Sequence, residues 1–498
     1  MLAETLTGPE IPWLDLGWAL TLLAGTSLLL IVGAIVPRWR HGLYATFTAL
    51  TTVVSFVFLI VLWGRVTDDG MSSAIADSIA FDHFAVLSLV AVLVSVFLTA
   101  LVTDGFLRRE EYGGPEMYAL YLTAALGASV MIVANDLIVL FLGLETLSLS
   151  LYLLAASHRR KTESQEAGLK YFVLGGFASA FFLYGIALIY GASGATKLPA
   201  INDALRGSID VNTNDALLLV GIGLLIVGFA FKVSAVPFQV WTPDVYQGAP
   251  SPVTGFMASA GKVAAFAALV RVLVVALPSR VDDWQPVIWV LAVLTLVGGS
   301  VMAVVQTNVK RMLAFSSISH AGFILVGVEA SAHANRTDAV SSVVVYLFLY
   351  SVLVIGSFAV VTAVSGRGDG ATSLDDLRGL ARRRPVLALA LTVFLIAQAG
   401  VPATSGFIAK FGVITASVDA ESYALAIIAM LAAVIAAYLY LRIMVSAWLA
   451  ESSDESAVEI PRGLGLAVAL CVVFTIAVGV YPGWLLTLAD KATTFLGA

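Results

Sequence analysis

The sequence predicts an all-α polytopic membrane protein of about fourteen transmembrane helices, with two inverted five-helix repeats and discontinuous helices 7 and 12. Three observations carry this. Of the 498 residues, 60% are hydrophobic and only 12% charged, with mean hydropathy +0.96, whereas a soluble domain is about a quarter charged. Apolar runs of about 20 residues, each enough to cross a bilayer, follow one another along the chain. Two runs, 215–246 and 386–416, are too long for one straight span, and each holds an internal proline.

The candidate spans lie near 17–36, 43–63, 84–103, 117–134, 137–156, 167–191, 215–246, 252–277, 286–306, 312–330, 339–364, 386–416, 421–449 and 463–488. Only short loops separate them, so no soluble domain is expected. Glu4, Glu10 and Asp15 replace the basic start of a signal peptide, so the first apolar segment reads as a retained span. The single cysteine, Cys471, rules out a disulfide framework or a thiolate metal site. No nucleotide loop, metal-ligand cluster or nucleophile triad is present in the sequence, and nothing points to a nucleic acid. The acidic segment Glu451–Glu459 reads as a solvated loop.

Orientation follows from the basic residues. Alternate loops on one side hold fifteen of the 27, from Arg38 and Arg40 through Arg108, Arg109, Lys161, Lys310 and Arg311 to Arg384 and Arg462; the other side holds six. The positive-inside rule places the richer side in the cytoplasm and both termini on the outer, periplasmic side. The remaining six fall within spans: Lys170, Lys232, Lys262, Arg271, Lys410 and Arg442. Arg271 and Arg442 are close enough to span ends to snorkel.

Spans 7 and 12 are five apart. Because five is odd, successive five-span units enter the membrane from opposite sides, which is the signature of an inverted repeat. The expected division is 1–116 (helices 1–3), 117–277 (first repeat), 286–449 (second repeat) and 463–498 (last helix). Pro237 and Pro402 break the two long spans, because proline lacks the N–H that continues a helix. The freed carbonyls of Val233 and Gln398 then need polar company that lipid does not supply.

A carboxylate inside a span, Glu145, costs roughly 2.5–3.5 kcal/mol on insertion scales and calls for a partner. Lys232, Lys170 and Lys262 are the candidate buried cations. A carboxylate beside a lysine favours ammonium, and its withdrawal favours the neutral amine, so such a pair can take up and release a proton. A static ion pair joining two helices is the competing reading. Lys410 follows the second break, near Ser405 and Gly406. His320, in FSSISHAGF, suits either a proton relay or a hydrogen-bonded structural role.

FLGLETLSLSLYLLAA around Glu145, GFAFKVSAVPFQVWTPDVYQGAPSPVTGF around Lys232, NVKRMLAFSSISHAGF, and PATSGFIAKF around Lys410 carry a resemblance over nearly the whole chain. The sequence resembles subunit N of bacterial proton-pumping NADH–quinone oxidoreductase (complex I), within the antiporter-like subunit family. That resemblance implies a translocase subunit of the bacterial cell membrane with no redox centre of its own. NADH, FMN, iron–sulfur clusters and quinone would belong to other subunits, and its partners would be the other membrane subunits, including sister antiporter-like ones. The implied proton path is Glu145, Lys232, Lys262 and Lys410, with Lys170 as an additional member. Gln239 and Gln247 stand where the family often has histidine and glutamate. The alternative is a subunit of a multisubunit cation/proton antiporter, with the same buried groups and no redox partner.

Overall fold

The computed structural model describes residues 11–36, 42–110, 114–207, 215–333, 335–451 and 458–497. Glu4, Glu10, Arg38, Arg40 and most of the acidic segment Glu451–Glu459 lie outside them. The chain opens with α1 (Gly17–Ile35) and α2 (Leu43–Asp69), followed by a two-stranded antiparallel hairpin, β1 (Ser72–Ala74) and β2 (Ile79–Phe81), and α3 (His83–Glu110). The first repeat comprises α4 (Glu116–Val133), α5 (Leu137–Ala155), α6 (Thr162–Ser193), the short α7 (Leu198–Leu205), α8 (Asp215–Val233), α9 (Trp241–Gly248), α10 (Ser251–Phe256) and α11 (Lys262–Arg271). The second comprises α12 (Val281–Val304), α13 (Val309–Ala330), α14 (Arg336–Val364), α15 (Leu380–Arg383), α16 (Pro385–Ala399), α17 (Ser405–Asp419) and α18 (Tyr423–Trp448). α19 (Arg462–Val480) and α20 (Gly483–Lys491) close the chain.

Among the described residues, 13 helical segments are long and apolar enough to cross a membrane; α16 and α17 together supply one more crossing. The expected last span, 463–488, is corrected: α19 stops at Val480, and α20 is a separate short helix behind Pro482. Proline's missing N–H explains the stop. The ninth span starts earlier than Pro286, at Val281. Pro286 therefore lies inside α12, in its second turn, where the missing N–H leaves the Asp282 carbonyl without its usual helical donor. The small hairpin is the one β-sheet among the described residues.

The two repeats share a local signature. Asp136 caps α5, its Oδ1 accepting from Ile138 N (2.8 Å), and Asn308 caps α13, accepting from Arg311 N (3.1 Å). Each cap starts the same ladder. Leu137 N donates to Thr196 O and Leu198 N to Asn135 O, both at 2.9 Å; Val309 N donates to Thr372 O (2.7 Å) and Leu374 N to Thr307 O (2.9 Å). The first ladder sits beside the β hairpin, the second beside Lys310 and Asp369 on the basic face, so the motif recurs on opposite faces. Counting from the caps, Glu145 aligns with Ser317 and Ser148 with His320.

In lipid, helices associate through close packing rather than hydrophobic expulsion, so small residues mark the tight seams. A Cβ on Gly127 would lie 2.4 Å from Leu147 N; on Gly299, the repeat mate, 2.6 Å from Ser319 N. These glycines set the α4–α5 and α12–α13 contacts. The membrane-crossing stretches of α13 and α14 are buried at the centre, whereas α1, α6, α18 and α19 turn leucines, valines and aromatics outward. The centre of the bundle is therefore where a charge can be screened from lipid.

Candidate functional site

Both broken helices open onto that centre. After Val233 the chain takes a left-handed residue, Ser234 (φ 65°), and the Val236–Pro237 peptide is cis. Trp241 Nε1 reaches back to the Phe231 carbonyl (3.0 Å), and Thr295 Oγ1 receives Val236 N (2.9 Å). In the second repeat Gly400 (φ 91°) ends α16, its N donating to Ile396 O and Ala397 O, a glycine-type helix stop. Pro402 and left-handed Ala403 separate it from α17. The breaks fall where the prolines indicated, but the polar partners do not. They reach Phe231 and Ala399 rather than the expected Val233 and Gln398 carbonyls.

Glu145 and Lys232 are both partly buried, and they do not meet as the direct pair expected from the sequence. Ser179 Oγ donates to Glu145 Oε1 at 2.5 Å, and Lys232 Nζ donates to Ser148 Oγ at 2.6 Å. Glu145 and Ser148 lie on one face of α5, three residues apart, so the two groups are neighbours linked through that face. Ser148 in turn donates to the Leu144 carbonyl. Lys232 also lies 5.6 Å from the Tyr152 ring. Hydrogen bonds to Ser179 and Ser148 thus take the place of a closed ion pair.

A small cavity of about 10 Å³ connects Lys232 with Lys262, lined among others by Ser148, Tyr246 and Gly261; that is about the space one water needs. Lys262 is 2% exposed. It follows a π-helical turn, Met257–Gly261, of the kind that re-aims a side chain within a helix. Its Nζ donates to the Ser317 carbonyl at 2.5 Å. The lysine therefore crosses from the first repeat to α13, the repeat mate of α5.

His320 continues the line. Its Nδ1 pairs with Tyr346 OH (2.6 Å) and its Nε2 with Tyr440 OH (3.2 Å). Tyr440 OH meets Ser316 Oγ at 2.6 Å, and Ser316 donates to Gln398 Oε1 at 3.3 Å. One residue beyond Gln398, the Ala399 carbonyl accepts from Lys410 Nζ at 3.1 Å. Lys410 is 5% exposed and lies 4.7 Å from the Phe323 ring centroid. His320 thus sits between Lys262 and Lys410, a placement its serine-rich context alone did not decide.

Lys170 is corrected as a buried cation. Its side chain is 41% exposed and pairs with Glu166 Oε1 (2.7 Å) and Asp244 Oδ2 (2.8 Å). Asp244 also holds Arg311 at 2.6 Å, and Gln247 Oε1 accepts from Arg311 at 3.3 Å. Glu166, Lys170, Asp244 and Gln247 line a basin of about 370 Å³ on the basic face. A lysine near a span end reaches water by its flexible stem. Gln239 is half-buried close to the first break.

Sequence reasoning missed three groups. Arg271, expected to snorkel, is 2% exposed and binds Asp82 through two bonds (2.7 and 3.0 Å) between the Phe84 and Phe495 rings. Lys310, assigned to a loop, is fully buried on Asp369 at 2.7 Å. Glu329, at the end of α13, is fully buried. An acidic residue within HAGFILVGVEAS was the available signal for Glu329; the two ion pairs join residues far apart in sequence and left no local trace. Arg442, by contrast, is half-buried at a span end and donates to the Val304 and Gln306 carbonyls, as a snorkelling side chain can.

Fourteen crossings, two broken helices and an interior line of lysines define an antiporter-like membrane subunit. Residues 134–436 match the family described as "NADH:quinone oxidoreductase/Mrp antiporter, TM". The chain is 41% identical to NADH-quinone oxidoreductase subunit N of Mycobacterium tuberculosis (strain CDC 1551 / Oshkosh), over 92% of this chain and 93% of that protein. It therefore belongs to the NADH-quinone oxidoreductase subunit N family. A chain of respiratory complex I from Thermus thermophilus is 31% identical with TM-score 0.80, covering 95% of this chain and 99% of that one. A chain of the Mrp complex from Dietzia sp. DQ12-45-1b reaches TM-score 0.85 at 22% identity, covering 97% of each; that likeness is one of fold.

Proposed function

We propose that the chain is the proton-translocating membrane subunit of a respiratory NADH–quinone oxidoreductase. The observation that carries this is the polar line from Glu145 through Lys232, Lys262 and His320 to Lys410, which joins the two broken helices across the buried centre. Quinone reduction, NADH, FMN and the iron–sulfur clusters belong to other subunits, and the chain works beside sister antiporter-like subunits. The two units 117–277 and 286–449 act as paired half-channels, with 1–116 and 463–498 as scaffold. The chain sits in the bacterial cell membrane with both termini on the periplasmic side, as the distribution of lysine and arginine supports.

In this reading Glu145 attracts a proton to the first half-channel, and Ser148 passes the influence to Lys232. An ammonium is favoured while a carboxylate is near and disfavoured when it moves away, so a small shift of α5 against α8 changes what Lys232 holds. Lys262 and His320 carry the change across the repeat boundary, and Lys410 handles it in the second. Lys170, in the open basin with Glu166 and Asp244, gathers protons at the cytoplasmic mouth rather than storing one inside. Pro237 and Pro402 keep the backbone open beside the lysines.

Glu145→Gln keeps the shape and the Ser179 contact but removes the titratable charge. The expected result is a complex that assembles and oxidises NADH yet pumps fewer protons per NADH in membrane vesicles. Pumping at the wild-type ratio would reduce Glu145 to a structural group.

A further inference from the structure

We infer that Glu329 and His333 form the relay through which a proton passes between the buried line and the membrane face opposite the arginine-rich loops. This rests on the path proposed above and names the groups at its outer end. Glu329 closes α13 and is fully buried, a costly place for a carboxylate. Its Oε1 accepts from Gln285 Nε2 of α12 (2.5 Å) and from Ser422 Oγ at the α17–α18 turn (3.2 Å). Its Oε2 is buried and meets no hydrogen-bond donor among the described residues. The large majority of buried side-chain polar atoms have a hydrogen-bond partner, so this oxygen is an exception.

One turn further on, His333 Nε2 lies 3.5 Å from Glu329 Oε1, while its side chain is 37% exposed. His333 lines a cavity of about 420 Å³ together with Pro278, Val281, Trp284, Ser331 and Arg336. The cavity belongs to the face where α12 begins and α13 ends, opposite Lys310 and the second ladder. The pair therefore has one buried member and one member at an open mouth.

Towards the interior, α17 carries Lys410 and, two turns later, Ser417, whose Oγ donates to the Ser422 carbonyl (3.2 Å). An apolar layer separates Lys410 from Glu329. Phe323 lies under the ammonium, and a Cβ on Gly327 would sit 2.6 Å from Val343 Cγ2 and 3.0 Å from Val413 Cγ1. Such a layer passes a proton only while water bridges it, so it keeps the interior from short-circuiting to the outside.

The step balances as follows. The Lys410 ammonium gives one proton to bridging water and becomes a neutral amine; the water hands a proton to the Glu329 carboxylate, which becomes a neutral acid. That acid protonates Nε2 of a neutral His333, restoring the carboxylate and forming imidazolium. The imidazolium releases its Nδ1 proton to water in the cavity. No electron moves and no covalent bond other than to hydrogen changes.

The test uses vesicles with the whole complex, reading protons pumped per NADH oxidised and normalising to assembled complex. Variants are Glu329→Gln, Glu329→Ala and His333→Gln, with Lys410→Arg alongside. A relay predicts that Glu329→Gln and Glu329→Ala both fall as far as Lys410→Arg, and that His333→Gln falls by a smaller fraction. Glu329→Gln at the wild-type ratio with only Glu329→Ala impaired makes the residue a helix tie and overturns the relay. Should Glu329→Gln not assemble, His333→Gln decides, and a wild-type ratio there overturns it. If Lys410→Arg alone is impaired, the lysine path stands and its outer end lies elsewhere. If Glu329→Gln is impaired and Lys410→Arg is not, Glu329 and His333 still carry the proton, but the step from Lys410 is overturned and the lysine path fails.

Discussion

Arginine at position 410 should give an assembled complex whose proton pumping is severely impaired. Lys410 lies at the second break, its Nζ on the Ala399 carbonyl and its stem against Gly400, where a Cβ would come 2.9 Å from Lys410 Cδ. Arginine retains the positive charge, the donors and most of the length. What it removes is the neutral form. The intrinsic affinities of the two side chains differ by about three pH units, so neutral arginine is about a thousandfold rarer than neutral lysine at the same site. A step requiring a neutral amine slows by a comparable factor, whereas a structural cation tolerates the exchange. The measurement is proton uptake by vesicles, normalised to assembled complex and to NADH oxidised. Because the guanidinium is wider and the site is tight, native gels must first show that the complex forms. Full pumping by an assembled Lys410→Arg complex would remove titration at this residue from the mechanism.

Where the interior line of polar groups depends on local chemistry, the sequence was readable. A lysine in an apolar run, a proline five residues on, and the same arrangement in approximate form five spans later located Lys232, Pro237, Pro402 and Lys410. Lys262 stood out because it lies well inside its span. The spans themselves follow from length and hydropathy, with errors confined to ends such as Val480, where Tyr481-Pro482 stops the helix. What was hidden depends on contacts between distant segments. Ser148 and Ser179 look like ordinary helical serines, yet they hold Lys232 and Glu145. His320 could not be assigned until Tyr346 and Tyr440, from two other helices, were seen on its ring nitrogens. Lys170 misled because periodicity does not tell a buried face from one opening onto a basin of other charges.

Lys310 was misread because its partner, Asp369, is distant in sequence, and it carries the largest expected effect on stability. Lys310 and Asp369 are 0% and 2% exposed and meet at 2.7 Å. Lys310 Nζ also donates to the Ala249 carbonyl (2.5 Å), and Ser251 donates to Asp369 through its N (3.0 Å) and its Oγ (2.7 Å). Lys161 Nζ reaches the Gly368 and Asp369 carbonyls, Gly368 N donates to Glu110 Oε1, and Glu110 Oε2 meets His158 Nε2 at 3.1 Å. One buried network thus fastens α3, the α5–α6 turn, the α9–α10 junction, α13 and the loop after α14. Burial opposes the Asp369 carboxylate, but the charge and hydrogen bond of Lys310, with Ser365 and Ser251, outweigh it and hold the carboxyl at about 2. A carboxyl held below its ordinary value of about 3.9 contributes stability that is complete above that pH and fades as pH falls towards 2. The network should therefore be intact from neutral pH down to about pH 4 and loosen only below it. Lys310→Met leaves a buried carboxylate without its cation, a change that costs about 3–5 kcal/mol. Lys310→Met with Asp369→Asn removes both charges and should recover much of that loss, because the amide oxygen still accepts from Ser251 and asparagine tolerates the left-handed backbone at 369 (φ 49°). The readouts are yield of assembled complex on native gels and its thermal inactivation at pH 7. A single variant as stable as wild type, or a double variant no better than the single, would show that the pair does not hold these segments together.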